Sequence, residues 1–246
     1  MHLRVAAVSL LFVTAFASTP ALSQDAAPAD TAVLLLGEQH DAASHQRLQR
    51  ETVQALASRS QLAALALEMA ESGTSTAGLS PLASEEEVRR VLRWDGAGWP
   101  WAAYAPAVMA AVAAGVPVAG ANLPRDRMRA AMADSSLDTA LPGPALKTQQ
   151  QAIRDGHCGL LPESQIAPMT RIQIARDRAM AGTLERLTVP GKTVVLIAGG
   201  GHADPAVGVP LHLPSGLSFR SVILPAEPAL KDYCAELRGR WKDRSN

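Results

Sequence analysis

Two apolar segments of this chain end in the same way, and they constrain its fold more than any other feature. AVLLLGEQH ends at His40 and TVVLIAGGGH ends at His202, each three residues after a glycine, Gly37 or Gly199. Each apolar run is too short to span a membrane and lacks the alternation of a strand with one solvated face. Such runs are typical of central strands that are buried on both faces. Ligands of open α/β sheets bind beyond the carboxyl ends of such strands, so the two histidines predict a site at one edge of a sheet.

The N-terminal segment has the pattern of a secretory signal peptide at residues 1–23. A basic start at residues 1–4 precedes an apolar stretch at 5–17, and Ala21 and Ser23 place small residues at the −3 and −1 positions. The apolar stretch is too short for a transmembrane helix. We therefore expect a periplasmic or secreted protein. Residues 24–31 are interpreted as a flexible lead-in, and residues 32–246 as a single domain.

The charge balance and the cysteines narrow the function classes. The chain has 23 basic and 23 acidic residues and no basic run, so we expect no nucleic-acid partner. Cys158 and Cys234 are the two cysteines. They could form a disulfide in an oxidising compartment or remain as two free thiols. A thiolate metal site is disfavoured because there is no C-x-x-C spacing.

Five apolar segments are predicted to be strands, with helical segments between them. The strands are expected at residues 32–37, 62–69, 116–122, 193–198 and 219–224. Helices are expected at residues 44–58, in an insertion at 84–114, over much of 125–186 and in a short C-terminal tail. Strands that alternate with helices form a mostly parallel sheet. The predicted fold class is therefore α/β, with a central sheet flanked by helices and the insertion as a helical lid.

Polar side chains follow every predicted central strand at its carboxyl end. They are Glu38, His40, Glu68, Asn122, Arg125 and His202. Two histidines and two glutamates suit a divalent metal such as zinc, manganese or iron, which makes Glu38, His40, Glu68 and His202 the candidate ligands. Without a metal, His40 could act as a general base that Glu68 orients, while Arg125 holds an anion. The same residues could also be hydrogen-bonded groups that only stabilise the fold.

Four of the nine aromatic residues lie in the predicted lid. Trp99, Trp101 and Tyr104 could be ordinary core residues, or they could line an apolar pocket large enough for a planar ligand. Tyr104 and Tyr233 are the only tyrosines, so a phenolate ligand of iron must be one of them. Further along, Gln173 and Asp177 share a helical face and predict a buried polar pair that needs partners.

Seven segments of the chain resemble the ChaN-like proteins of the haem-binding uptake and Tiki superfamily. They are LLLGEQHDAASH at 34–45, LALEM at 65–69, W-x-x-Y at 101–104, GVPVAGANLPR at 115–125, GHCGLLPE at 156–163, QIARDRAMA at 173–181 and AGGGHADPAVGVPLHL at 198–213. They are spread over residues 34–213, which is most of the chain beyond the predicted signal peptide, in the order of the family. The family's lipoprotein members carry a cysteine after the signal, and this chain has none there, so lipid anchoring is not expected.

The ChaN branch of the resemblance implies an exported haem-binding protein that serves iron acquisition. It implies a tyrosine as the axial ligand, for which Tyr104 is the candidate. Trp101 and Asn122 would lie beside the haem, and its propionates would lie near Arg125 or a helix N-terminus. The resemblance also implies a haem-linked homodimer and an uptake partner in the outer membrane.

The Tiki branch implies a different function, a metal-dependent hydrolase acting as a peptidase or an esterase. Its site residues would be His40, Glu68 and His202, with Arg125 as the supporting cation. A third interpretation is a protein that keeps the polar sheet edge for stability and acts by binding partners.

Overall fold

The computed structural model describes the backbone of residues 31–244 and the side chains of residues 31–240. The predicted signal peptide at residues 1–23, and the lead-in as far as residue 30, lie outside the described residues. Within residues 31–244, no helix combines the length and the apolar character that a membrane crossing requires.

A five-stranded parallel sheet forms the centre of the fold. Its strands run in the order β3-β2-β4-β1-β5, and every neighbouring pair is parallel. Their bounds are β1 (Val33–Glu38), β2 (Leu62–Glu71), β3 (Val118–Asn122), β4 (Thr193–Gly199) and β5 (Phe219–Ile223). The predicted α/β class is confirmed.

Eight α-helices surround the sheet in the described part of the chain. They are α1 (Ala43–Ser58), α2 (Glu85–Val91), α3 (Trp101–Ala113), α4 (Met128–Ala133), α5 (Gly143–Gly156), α6 (Glu163–Leu187), the single turn α7 (Gly200–Ala203) and α8 (Tyr233–Arg244). The predicted lid consists of α2 and α3. Its start is fixed by a capping box, in which Ser84 and Glu87 exchange backbone and side-chain hydrogen bonds.

The central strands are buried on both faces because their alternate side chains enter two different cores. Leu34 and Leu36 of β1 face a cluster that includes α1 and α3. Val33 and Leu35 face the other way, toward α6. The side of β2 that faces α6 contributes Ala64 and Ala66 to this core, and these small side chains let this long helix pack close to the sheet. The predicted burial of the two apolar runs is therefore present in the structure.

A glycine in β3 permits a close approach at one edge of the sheet. A Cβ on Gly120 would lie 2.1 Å from the backbone oxygen of Glu71. The absence of that carbon lets the chain after β2 fold back against β3, where Ser75 forms an isolated bridge with Ala119.

A disulfide joins Cys158 to Cys234, with their Cα atoms 5.7 Å apart. It links the loop after α5 to the start of α8. The chain that leads into α8 crosses the turn between β1 and α1, where the Glu227 amide donates to Gln39 at 3.0 Å and the Tyr233 hydroxyl donates to Asp41 at 2.8 Å. The C-terminal segment thereby covers one side of the sheet edge that carries His40.

Candidate functional site

The carboxyl ends of β1, β2 and β4 bring the predicted polar residues to one edge of the sheet. β4 lies between β1 and β2 in the sheet. Glu38 at the end of β1 and Glu68 near the end of β2 therefore flank Gly199 at the end of β4. Parallel strands end at the same edge, which explains why residues far apart in sequence meet here.

Glu38 is the centre of one hydrogen-bonded group. Its carboxylate is buried, and its Oε1 accepts hydrogen bonds from the Tyr104 hydroxyl at 2.6 Å and from Nδ1 of His40 at 2.7 Å. Its Oε2 accepts a bond from the Gln49 side-chain amide at 2.5 Å. Three donors satisfy the carboxylate, as burial of a charged group requires.

His40 differs from its neighbours because it is open to solvent. Its side chain is 40% exposed, and Nε2 has no hydrogen-bond partner among the described residues. The ring of Trp99 meets the imidazole edge-on, with centroids 4.8 Å apart. Burial by itself would lower the pKa of His40, but the hydrogen bond with Glu38 and the charge of Glu68 outweigh it and raise the pKa.

Glu68 is the centre of a second group on the other side of β4. Its Oε1 accepts a hydrogen bond from Arg176 at 2.5 Å, and its Oε2 accepts one from the backbone amide of Gly199 at 2.7 Å. Burial by itself would raise the pKa of Glu68, but the nearby His202 and Arg176 hold it well below its usual range. The carboxylate therefore stays ionised.

His202 is buried between two carboxylates. Its Nδ1 lies 2.5 Å from Oδ1 of Asp177, and its Nε2 lies 3.5 Å from Oε1 of Glu68 and 3.0 Å from Nε2 of Gln173. Burial by itself would lower the pKa of His202, but the charges of Glu68 and Asp177 raise it to about 9. The imidazolium is thus the form that this position stabilises. His202 is thus the partner of the predicted buried pair, Gln173 and Asp177.

The four predicted metal ligands form two neighbouring pairs rather than one cluster. Glu38 pairs with His40, and Glu68 pairs with His202, with Gly199 between them. No group of three or more histidine, cysteine, aspartate or glutamate side chains within the described residues is arranged to hold a metal ion. The predicted metal site stays a prediction, and it would require these side chains to exchange their present partners.

The residues predicted to contact a cofactor lie in different surroundings. Tyr104 is 1% exposed, and Trp101 is half-buried and donates from Nε1 to Glu85 at 2.7 Å. Asn122 donates to the backbone oxygen of Glu68 at 2.9 Å. Arg125 is exposed and forms an ion pair with Asp95.

A pocket of about 340 Å³ opens beside Glu68. Asn122, Arg125 and Trp99 line it, together with Arg93 and Arg176. Two of the predicted cofactor-binding residues, Asn122 and Arg125, therefore share one pocket, whereas Tyr104 and Trp101 are not among its lining residues. Its indole ring suits a ligand with a flat apolar part, while its three guanidinium groups are matched in number by the carboxylates of Glu68, Glu71 and Asp95.

Two important residues of the site were not predicted from the sequence. Gln49 of α1 holds Glu38, and Arg176 of α6 holds Glu68 and also donates to Asn122 at 2.9 Å. The sequence instead indicates Arg125 as the supporting positive charge at the sheet edge. The available signal was helical spacing, because Arg176 lies three residues after Gln173 and beside Asp177.

Comparison with known proteins adds two findings. The family model described as haem-binding uptake, Tiki superfamily, ChaN matches residues 25–213. A solved structure described as cofacial heme binding to ChaN of Campylobacter jejuni is 26% identical in sequence, with a TM-score of 0.62. The match covers 75% of this chain and 76% of that chain. No curated protein matches significantly.

Proposed function

We propose that this chain, which belongs to the haem-binding uptake, Tiki superfamily, ChaN family, binds haem at the carboxyl edge of its sheet. The family match, together with the cofacial haem binding of the structurally similar Campylobacter protein, is the observation that carries the proposal. The predicted membership of this family is confirmed. Haem binding by this chain is the step that we add.

The residues at the sheet edge fit a haem. Gly199 lies close to the exposed imidazole of His40, since a Cβ added to the glycine would be 3.0 Å from Nε2. Trp99 supplies an aromatic surface on the other side of the imidazole. The exposed guanidinium groups of Arg93 and Arg125 line the adjacent pocket, where they can pair with propionate groups. When bound, haem would supply an iron centre with open coordination positions.

We further propose that the protein is exported and serves iron acquisition. The predicted signal peptide supports export, and the Cys158–Cys234 disulfide is consistent with it because disulfides persist in oxidising compartments. Cofacial haem binding by the relative supports a homodimer linked by paired haems. An outer-membrane uptake partner remains a prediction from the sequence.

The hydrolase alternative has no observation that favours it over haem binding. Glu68 and His202 already form ion pairs with Arg176 and Asp177. Metal analysis of the purified protein, with and without added zinc, manganese or iron, tests this alternative directly. Stoichiometric metal that is lost in His202→Ala would favour it.

Titration of the haem-free protein with hemin, followed by the Soret absorbance, tests haem binding. We expect a saturable spectral change with a defined stoichiometry. Arg125→Gln should weaken binding about three- to fivefold, because one exposed ion pair contributes about 1 kcal/mol or less. Arg129→Gln is the matched control, since Arg129 is exposed on α4 and is absent from the pocket lining. A wild-type spectrum that stays that of free hemin would refute the proposal.

A further inference from the structure

We propose that the outer edge of β5 binds the same edge of a second copy of this chain, so that two antiparallel β5 strands join the two sheets into one. This homodimer goes beyond the proposed function, because it needs neither haem nor any residue of the candidate site. Its contacts would come from Phe219, Ser221 and Ile223, the outward residues of β5.

The backbone of β5 carries unpaired hydrogen-bonding groups on the side away from β1. Among the described strands, β5 is the last of the sheet and pairs only with β1. Just before β5, the Ser218 carbonyl accepts a hydrogen bond from the Val33 amide at 3.1 Å. Just after it, the Leu224 amide donates to the Gly37 carbonyl at 2.9 Å. Alternate residues of a strand bond to the same neighbour, so the outward residues point their amides and carbonyls away from β1, where the described part of the chain offers no backbone partner.

The chain that follows β5 leaves this outer edge uncovered. The Pro225 carbonyl lies 3.0 Å from Nε2 of His45 on α1, and the contact leads the chain over β1, away from the outer side of β5. Phe219 and Ile223 are 42% and 49% exposed. An apolar strand edge that is left open in this way is a template for pairing with another chain, and natural proteins usually cover or charge such edges.

Ser221 gives an independent sign that this edge has a partner. Its hydroxyl oxygen is buried and has no hydrogen-bond partner within the described residues, which is uncommon for a buried polar group in a native structure. Ser221 is the middle residue of β5 and shares a face of the strand with Phe219 and Ile223. A symmetric strand pair centred on Ser221 would place the hydroxyl of the second copy directly opposite, where the two can bond.

The sequence of β5 is complementary to itself. In an antiparallel pair centred on Ser221, Phe219 of each copy lies opposite Ile223 of the other, and the two exposed apolar side chains cover each other. Each outward residue would belong to a pair that exchanges both backbone hydrogen bonds. Arg220 would lie opposite Val222 of the second copy, so no like charges are directly opposed. This self-complementarity favours a second copy over an unrelated strand, and two-fold dimers are the commonest protein oligomers.

The β5 pairing leaves both candidate sites open. Every strand of the sheet is parallel to β5, so antiparallel pairing places the carboxyl edges of the two copies at opposite ends of the joined sheet. A homodimer linked by paired haems would instead use the carboxyl edge itself. Because these two interfaces use different surfaces, the β5 dimer should form in the absence of haem, and hemin should drive assembly beyond a dimer.

Sedimentation velocity of the haem-free protein over a concentration series tests the proposal. We expect a reversible monomer–dimer equilibrium, because a pair of five-residue strands contacts less area than a standard stable interface. Phe219→Lys places a charge opposite an apolar side chain twice in the dimer and should raise its dissociation constant about tenfold or more. Leu82→Lys is the matched control, since Leu82 is 93% exposed and lies outside β5, and it should leave the dissociation constant unchanged.

Two double variants test the register of the pairing. Phe219→Lys with Ile223→Glu puts opposite charges face to face and should restore the dissociation constant to within about threefold of the wild type. Phe219→Lys with Ile223→Lys puts like charges face to face and should remain monomeric. Equal behaviour of the two double variants would overturn the proposed pairing. All four changed side chains are exposed in the monomer, so its folding should be little affected.

Amide hydrogen exchange identifies what occupies the edge. The amides of the outward residues should exchange more slowly as the protein concentration rises, because only the dimer protects them. Protection that does not change with concentration would mean that another segment of the same chain covers β5, and it would overturn the inference.

The outcomes separate this inference from the proposed function. A wild type that stays monomeric at millimolar concentration, or a dimer that Phe219→Lys leaves intact, would overturn the β5 interface whether or not hemin binds. A haem-free dimer that is sensitive to Phe219→Lys would support the interface even if hemin failed to bind, and that failure would refute the proposed function alone.

Discussion

Replacing Tyr104 by phenylalanine tests whether its buried hydroxyl stabilises the fold. The change removes one hydroxyl and keeps the ring, which packs near Trp94 and Trp99. The lost bond is the 2.6 Å contact with the buried carboxylate of Glu38. A hydrogen bond to a charged group contributes roughly 1.5–3 kcal/mol. His40 and Gln49 continue to donate to Glu38, so we expect a loss near the middle of that range, about 2 kcal/mol.

Urea unfolding followed by circular dichroism measures this loss as a lower midpoint with an unchanged slope. A loss of this size lowers the melting temperature by about 4–8 °C in a domain of this length. Tyr233→Phe is the control, because its exposed hydroxyl bonds to Asp41 at the surface and its removal should cost less than about 0.5 kcal/mol. If Tyr104→Phe were as stable as Tyr233→Phe, the role assigned to the buried hydroxyl would be wrong.

Two further predictions concern stability and the C-terminal segment. The pKa of His202 rises from 6.5 to about 9 on folding. The stabilisation of the folded state by protonated His202 is therefore complete below pH 6.5 and is lost as the pH rises through about 9. The free energy of unfolding of the wild type should fall by up to about 3 kcal/mol over this interval, relative to that of His202→Asn. The same pH dependence of the free energy of unfolding in both proteins would contradict this. Reduction of Cys158–Cys234 should speed amide hydrogen exchange in residues 225–240 at least tenfold without changing exchange in β4, because this segment is mostly exposed and buries few side chains. Unchanged exchange would mean that the hydrogen bonds alone hold the segment.

The strands and the sheet edge could be predicted because their signals are local. Continuous apolar runs mark β1 and β4, and parallel pairing places their carboxyl ends together whatever the details of packing. The partners of those residues depend on where helices cross the edge. Arg176 reaches Glu68 only because α6 packs closely on the alanine face of β2, and no single-residue pattern shows that distance.

The hydrogen-bond partner of Tyr104 likewise could not be predicted from the sequence. The sequence predicts that Tyr104 lies in an aromatic lid, where it could either pack in the core or line a ligand pocket. The structure gives it a core position with a polar end, since the ring lies in the apolar cluster while the hydroxyl bonds to Glu38. The hydroxyl of a buried tyrosine needs a hydrogen-bond partner, and here that partner is Glu38. That acceptor is on another strand end, 66 residues away in the sequence.

The two matching strand ends that dominate the sequence have different environments and therefore different roles. After β1 the chain turns outward into α1, which leaves His40 exposed with one free nitrogen. After β4 it enters the single turn of α7, which folds His202 inward under α6. The charge of His202 keeps Glu68 ionised, and Glu68 accepts the Gly199 amide at 2.7 Å. The buried histidine thus helps to fix the end of β4, which lies close to the exposed histidine. Equal motifs at one sheet edge therefore give one buried histidine that supports the edge and one histidine that is open to solvent.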